Sequence, residues 1–217
     1  QEFGNAAPWT GKLESLAEFD VQDAVQVALK NDMGKVLDSQ ASVPFTGAEF
    51  KAVLASTASV NFQRAGTASA TANANLTGSN WRDIANQMRK DNVPFYDGSA
   101  YICIGAVNLI SGLYSDTATA GFVDVSKYTG EFAGQLVRGE IGRYFHGRFV
   151  EETNIFSNTL GSSSVNGGGV AFGADAVMEG VAIPEEFRQK VPTDYGRSQG
   201  LAWYFLSGWQ KIYDETN

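Results

Sequence analysis

The sequence predicts an α+β fold, and three observations lead there. One long amphipathic stretch opens at Asp20. Short apolar runs with strand character lie at 101–107, 144–151, 170–177 and 201–213. The two kinds of segment mix without a regular βαβ rhythm, which disfavours a parallel doubly wound sheet. No internal repeat and no clean linker divides the 217 residues, so one domain or two small lobes are expected.

Asp20 is a good helix N-cap, with Asp23 as its acidic capping partner. Val21, Ala24, Val25, Ala28, Leu29, Met33, Val36 and Leu37 then recur at three- and four-residue spacing. The pattern predicts a helix of about four to five turns, weakened at Gly34 and stopped by Pro44. Residues 46–60 fit either helix or strand. Residues 65–74 hold no large apolar side chain and read as an exposed loop or edge.

Asn80 is read as the cap of a second helix, with Trp81, Ile84, Ala85 and Met88 on one face and Asn92-Val93-Pro94 ending it. Asp97-Gly98 signals a turn before the buried strand at 101–107. A third helix carries Leu109, Ile110, Leu113 and Tyr114, and a short helical segment covers 132–137, closed by Gly139. Residues 144–151 alternate as one strand, with Phe145, Gly147 and Phe149 on one face and Tyr144, His146, Arg148 and Val150 on the other. Residues 157–169, Gly- and Ser-rich, predict a mobile loop that buries little. The last strand carries Trp203, Tyr204, Phe205, Leu206, Trp209 and Ile212, enough to cover both of its faces.

Composition narrows the function. The net charge is -8 and Lys and Arg are scattered singly or in isolated pairs such as Lys30 and Lys35, Arg89 and Lys90, and Arg143 and Arg148, so the counterion release that drives nucleic-acid binding has no basic patch to supply it. The single cysteine, Cys103, sits in an apolar run, which excludes an intramolecular disulfide and suggests an inert buried thiol. No apolar stretch approaches a membrane span and no basic-then-apolar leader opens the chain. A soluble, cytoplasm-assembled protein is the expectation.

Catalytic chemistry finds little support. His146 is the only histidine and lacks metal-ligand partners or a nucleophile in any recognisable pattern. Glu151 and Glu152 are adjacent on a strand, so they point to opposite faces and cannot flank one glycosidic bond. Glycines 167–169 lack the Gly-Lys-Ser/Thr ending of a phosphate loop. Asp175 reads as a turn acid. Trp9, Trp81, Trp203 and Trp209 read as packing residues rather than as a sugar platform. No catalytic residue, metal site or cofactor is assigned.

The order of segments in the second half is distinctive: NVPFYDG at 92–98, a strand, LVRGEIGR at 136–143, GRFVEETN at 147–154, a Gly/Ser loop, VAFGADA at 170–176, YGRS at 195–198 and a Trp/Tyr-rich strand. This succession resembles the N4-type branch of tailed-bacteriophage major capsid proteins, whose fold is of the Hong Kong 97 type. The resemblance covers most of the chain from the long helix onward and rests on several moderately specific segments in the correct order. It implies a peripheral domain over 1–79 built on the long helix and strands, and an axial domain over 80–155. A loop and strand over 156–200 would return to the peripheral domain, whose final strand would be 201–217. The N-terminal arm and extended two-stranded loop of the family are expected to be missing.

The resemblance further implies a non-enzymatic subunit that forms hexamers and pentamers of an icosahedral head around double-stranded DNA. It would assemble in the host cytoplasm and reside in the virion capsid, with scaffolding or cementing proteins as further partners. Acidic character suits a wall that confines DNA without binding it in a sequence-specific way. The charged residues Arg138, Glu140, Arg143, Arg148, Glu151 and Glu152 are the candidate inter-subunit contacts, and the segments 115–121 and 157–169 are expected to be exposed to neighbours. Two other readings remain open. A carbohydrate-binding or adhesion module would use the aromatic content, and an encapsulin-like shell would share the fold but enclose an enzyme.

Overall fold

The computed structural model describes residues 1–48, 50–64, 71–118, 121–122, 140–161, 163–191, 193–195 and 197–212, with only the backbone of Glu140. In chain order the elements are β1 (Glu2–Thr10), α1 (Gly11–Leu16), α2 (Val21–Thr46), β2 (Phe50–Ser56), β3 (Ser59–Arg64), α3 (Gly78–Lys90), β4 (Tyr101–Ala106) and α4 (Val107–Tyr114). β5 (Glu140–Tyr144), β6 (Gly147–Glu152), β7 (Gly169–Phe172), β8 (Val177–Gln189) and β9 (Ser198–Lys211) follow. The result is the predicted α+β architecture. It divides into two compact units: Gln1–Pro44 with Val177–Lys211, and Phe45–Ala176 with the C-terminal residues from Ile212.

In the first unit β1, β9 and β8 form an antiparallel sheet in that order. The helix α2 packs on one face of it. Val21 and Leu29 from α2 are buried with Trp9, Leu201, Trp203 and Phe205 from the strands, and Val25, Met33, Val36 and Leu37 close around them. The Asp20 carboxylate accepts the Asp23 N–H at 3.1 Å, as a cap should. Ala24 and Ala28, however, face outward, so the apolar stripe is narrower than the spacing implied.

The helix is also longer than expected, 26 residues or about seven turns. Pro44 lies inside its last turn instead of beyond its end. A proline there forfeits one backbone bond close to a terminus, and its buried ring contributes packing in return. β9 starts earlier than expected and alternates: Leu201, Trp203, Phe205 and Ser207 are buried while Ala202, Tyr204 and Leu206 are half-buried. One face is fully covered, not both.

The second unit holds a four-stranded sheet in the order β5-β6-β4-β7, with β4 and β6 parallel, and a separate β2-β3 hairpin. Residues 46–60 thus resolve largely to strand. The core gathers Trp81, Ala85 and Met88 of α3, Leu109, Ile110 and Leu113 of α4, and Tyr101, Cys103 and Phe149 of the sheet. The α3 cap is Thr77, three residues before Asn80, and its hydroxyl accepts the Asn80 N–H. Asn80 is fully buried and donates to the Ser56 carbonyl at 3.0 Å, so its side chain ties the helix to the β2-β3 hairpin.

Three further expectations are corrected. Residues 144–151 are not one strand but the corner of the β5-β6 hairpin, with Phe145 and His146 as its turn at φ of +40° and +58°. The expected strand 170–177 breaks at Gly173, where Asp175 (φ +55°) turns the chain between β7 and β8. The segment 157–169 is tied down rather than loose. Asn166 is buried and donates to the Ala72 carbonyl at 2.9 Å, and Gly168 N–H bonds back to Ser157. The helical segment expected at 132–137 lies outside the described residues, as does Tyr213.

A candidate assembly surface

The six charged residues singled out in the sequence occupy the β5-β6 side of the second unit, apart from Arg138, which lies outside the described residues. Arg143 and Arg148 are cross-strand partners and so share one face of the sheet, and Glu140 stands opposite Val150. Arg148 reaches Asp97 at 2.9 Å, both side chains being largely shielded from solvent. Glu152 turns into its own loop, where its carboxylate accepts the Asn154 and Ile155 N–H groups at 2.5 and 2.6 Å. Glu151 is exposed and, after burial itself, is the second influence raising the Tyr114 hydroxyl above its ordinary pKa. Arg148 and Glu152 therefore already serve bonds within the chain. The Arg143 and Glu151 side chains are exposed.

Asp97 organises the turn next to this surface. Its Oδ1 accepts from Ala100 N–H at 3.0 Å and from the N–H and hydroxyl of Ser99, while Oδ2 takes Arg148. Partial burial pushes its carboxyl up, but the Ser99 and Ala100 amides and the Arg148 guanidinium outweigh that and hold it below the usual range.

The neighbouring Phe145-His146 turn is fixed from outside. Trp81 donates its indole N–H to the Phe145 carbonyl at 3.1 Å, and Tyr101 N–H bonds to the His146 carbonyl at 2.7 Å. The His146 ring packs at a tilt against Phe95 and bonds the Ser99 carbonyl through Nδ1 at 3.1 Å. Two non-glycine residues in the left-handed region are tolerated because these remote groups hold them there. His146 is a turn residue, not a strand-face residue.

Other polar features were not legible beforehand. An open cleft of about 780 Å³ is lined by Thr57, Thr77, Ser79, Arg82, Asp116 and Tyr144 among others. The two Asp116 oxygens accept the Gly78 and Ala118 N–H groups, so this carboxylate serves backbone bonds within the chain. The tryptophans offer no sugar platform: Trp9, Trp81 and Trp203 are buried and Trp209 packs on the first unit's core. Cys103 is buried and its thiol is pushed up to about 12 by desolvation. Among the described residues no group of three or more His, Cys, Asp or Glu side chains could hold a metal ion, and no helix is long and apolar enough to cross a membrane.

No protein-family model and no curated protein matches the sequence. Solved structures do. A capsid of Helicobacter pylori bacteriophage KHP30, described as acid-stable, superposes with a TM-score of 0.68 at 16% identity, covering 98% of this chain and 68% of that one. The head of Helicobacter pylori bacteriophage KHP40 gives 0.66 at 17% identity over the same shares of the two chains. The capsid of Ralstonia phage GP4 gives 0.65 at 13% identity, over 98% of this chain and 69% of that one. This chain thus spans about two thirds of the length of the solved chains it matches. Its fold is that of phage capsid proteins, the Hong Kong 97 type that the order of sequence segments pointed to.

Proposed function

We propose that this chain is a major capsid protein of a tailed phage, a structural subunit whose work is to pack against copies of itself. The observation carrying the proposal is the fold match over nearly the whole chain to several phage capsids. The unit of α2 and β9 is assigned the peripheral role and the unit with the four-stranded sheet the axial role. Hexamers and pentamers around the axial unit would close into a shell around double-stranded DNA, because closed symmetry reuses one surface repeatedly. Within the tailed phages, the segment order from 92 to 198 favours the N4-type branch.

Arg138, Glu140, Arg143, Glu151 and, through the outer edges of their bonded pairs, Arg148 and Glu152 are the proposed charged contacts between axial units. Such contacts set register more than affinity. The net charge of -8 suits a wall that does not hold packaged DNA. No catalytic step is assigned, and scaffolding or cementing proteins are the further partners proposed.

Negative-stain electron microscopy of the protein, with and without N-terminal extension, tests this. Hexamers, pentamers or closed shells are the expected result. A persistent monomer that binds glycans would overturn the reading.

A further inference from the structure

At one end of the β1-β9-β8 sheet, the described residues between β8 and β9 make several bonds to one another and to β9. Lys190 N–H bonds the Gly200 carbonyl at 2.8 Å, and its ammonium reaches the Ser198 hydroxyl at 2.6 Å. Asp194 accepts Ser198 N–H through its carboxylate and Arg197 N–H through its carbonyl. This frame holds Tyr195 in the left-handed region at φ +57° and points its ring wholly into solvent. Val191, four residues earlier, is 79% exposed. The Arg197 guanidinium makes no ion pair among the described residues. A non-glycine residue in the left-handed region costs conformational energy, and here it presents a tyrosine outward, two residues from an exposed arginine.

The adjoining segment is equally unfinished. Gly11 N–H bonds the Arg197 carbonyl at 3.0 Å and starts α1, a helix with no buried residue. Leu13 and Leu16 lie three apart on one face and are 51% and 71% exposed, and Phe19 just beyond is also mostly exposed. Three large exposed apolar side chains within seven residues make this segment a candidate interaction site. The charges are complementary: the loop carries Lys190 and Arg197 against one acid, Asp194, whereas 12–20 carries Glu14, Glu18 and Asp20 against one cation, Lys12.

We infer that the β8-β9 tip of one copy docks on the α1-to-Phe19 segment of a second copy, Tyr195 and Val191 covering Leu13, Leu16 and Phe19 while Arg197 pairs with Glu14 or Glu18. The two surfaces adjoin in one chain, yet its own Arg197 reaches no carboxylate among the described residues and its own Tyr195 points into solvent. A rotation that sets each tip on the next copy's α1 satisfies both, and lets every copy give and receive once around a closed ring. The inference rests on the shell reading for its choice of partner.

Sedimentation velocity of the full chain across a concentration series tests it, with wild type, Tyr195→Ala, Arg197→Glu and the charge swap that combines Arg197→Glu with Glu14→Lys and Glu18→Lys. The two single variants should weaken self-association about tenfold or more, as loss of an interface anchor does. The charge swap should recover most of that loss for the Arg197 variant. Melting temperatures should stay unchanged, since every altered side chain is exposed. Variants that associate like wild type, or a swap that restores nothing, overturn this interface and leave the shell reading standing. A wild-type chain that stays monomeric at every concentration overturns both.

Discussion

Trp203 on β9 donates its indole N–H to the carboxylate of Asp32 on α2 at 3.1 Å, and the same oxygen accepts the Asn5 side-chain amide from β1 at 2.9 Å. One acid thereby joins the helix to two strands of the first unit's sheet. Trp203 is almost fully buried, so its N–H has no water to turn to if the acceptor is lost. Asp32→Ala should destabilise the protein by roughly 1–3 kcal/mol, the cost of stranding a buried donor. Asp32→Asn, which keeps an acceptor oxygen, should cost less. Urea denaturation followed by tryptophan fluorescence measures both, and equal stabilities for Asp32→Ala and wild type would sink the claim.

Gly147 and Gly34 should respond in opposite directions to the same added methyl. A Cβ on Gly147 would stand 2.4 Å from the indole ring of Trp81, which is fully buried and held by its bond to Phe145. The ring cannot retreat, so Gly147→Ala should cost about 2 kcal/mol or more through overpacking and loss of that bond. Gly34, inside α2, has nothing within 4 Å of where a Cβ would be. There Gly34→Ala should stabilise by about 0.5–1 kcal/mol through helix propensity alone. Thermal melts of the two variants against wild type separate these signs.

The Asp97 turn supplies a pH dependence whose direction is fixed. Its folded carboxyl titrates below its ordinary value of 3.8. The unfolded chain therefore takes up this proton first as the solution is acidified. The stabilisation is fully present above the unfolded pKa and is lost as pH falls through the folded one. Asp97→Asn should remove that component, so the stability gap between wild type and variant should be largest at neutral pH and shrink below about pH 4. Denaturation midpoints between pH 7 and pH 3 check it; a gap that widens on acidification contradicts the assignment.

Legibility followed locality. The Asp20 cap, the strand at 101–107, the apolar stripe of the helix after it and the Asp97 turn all announce themselves through residues close together in sequence, although the cap of that helix comes from far along the chain. The elements that were missed depend on partners far along the chain. β1 holds a Gly, an Asn, two Ala and a Pro among its nine residues, and becomes a strand because β9 pairs along its whole length. β8 is an edge strand with Pro184 and two register shifts, so it lacks a buried alternating face. The Phe145-His146 turn has no Asn-Gly signal because Trp81 and Tyr101 impose its shape. The candidate charged residues were placed by segment order, and the outward-facing Tyr195 was invisible without its backbone angle.

The segment 157–169 illustrates the same point and can be tested directly. α4 begins after Ala106, which has no side chain to cap it. Asn158, fifty residues on, fills that role: its side-chain oxygen accepts the Asn108 N–H at 2.8 Å, and its carbonyl accepts the Asn108 side-chain amide at 2.9 Å. Asn75 holds the other end of the loop by accepting Gly167 N–H at 3.0 Å. A cap delivered from a distant loop should be worth about as much as a local one, so Asn158→Ala should cost about 1 kcal/mol. Because the same bond anchors the loop, the variant should also be cut faster within 157–169 by a broad-specificity protease under native conditions. Limited proteolysis with mass-spectrometric mapping distinguishes this from general destabilisation, since Asp32→Ala acts in the other unit and should leave that cleavage rate unchanged. Equal cleavage in all three proteins would mean that the loop is held by something other than Asn158.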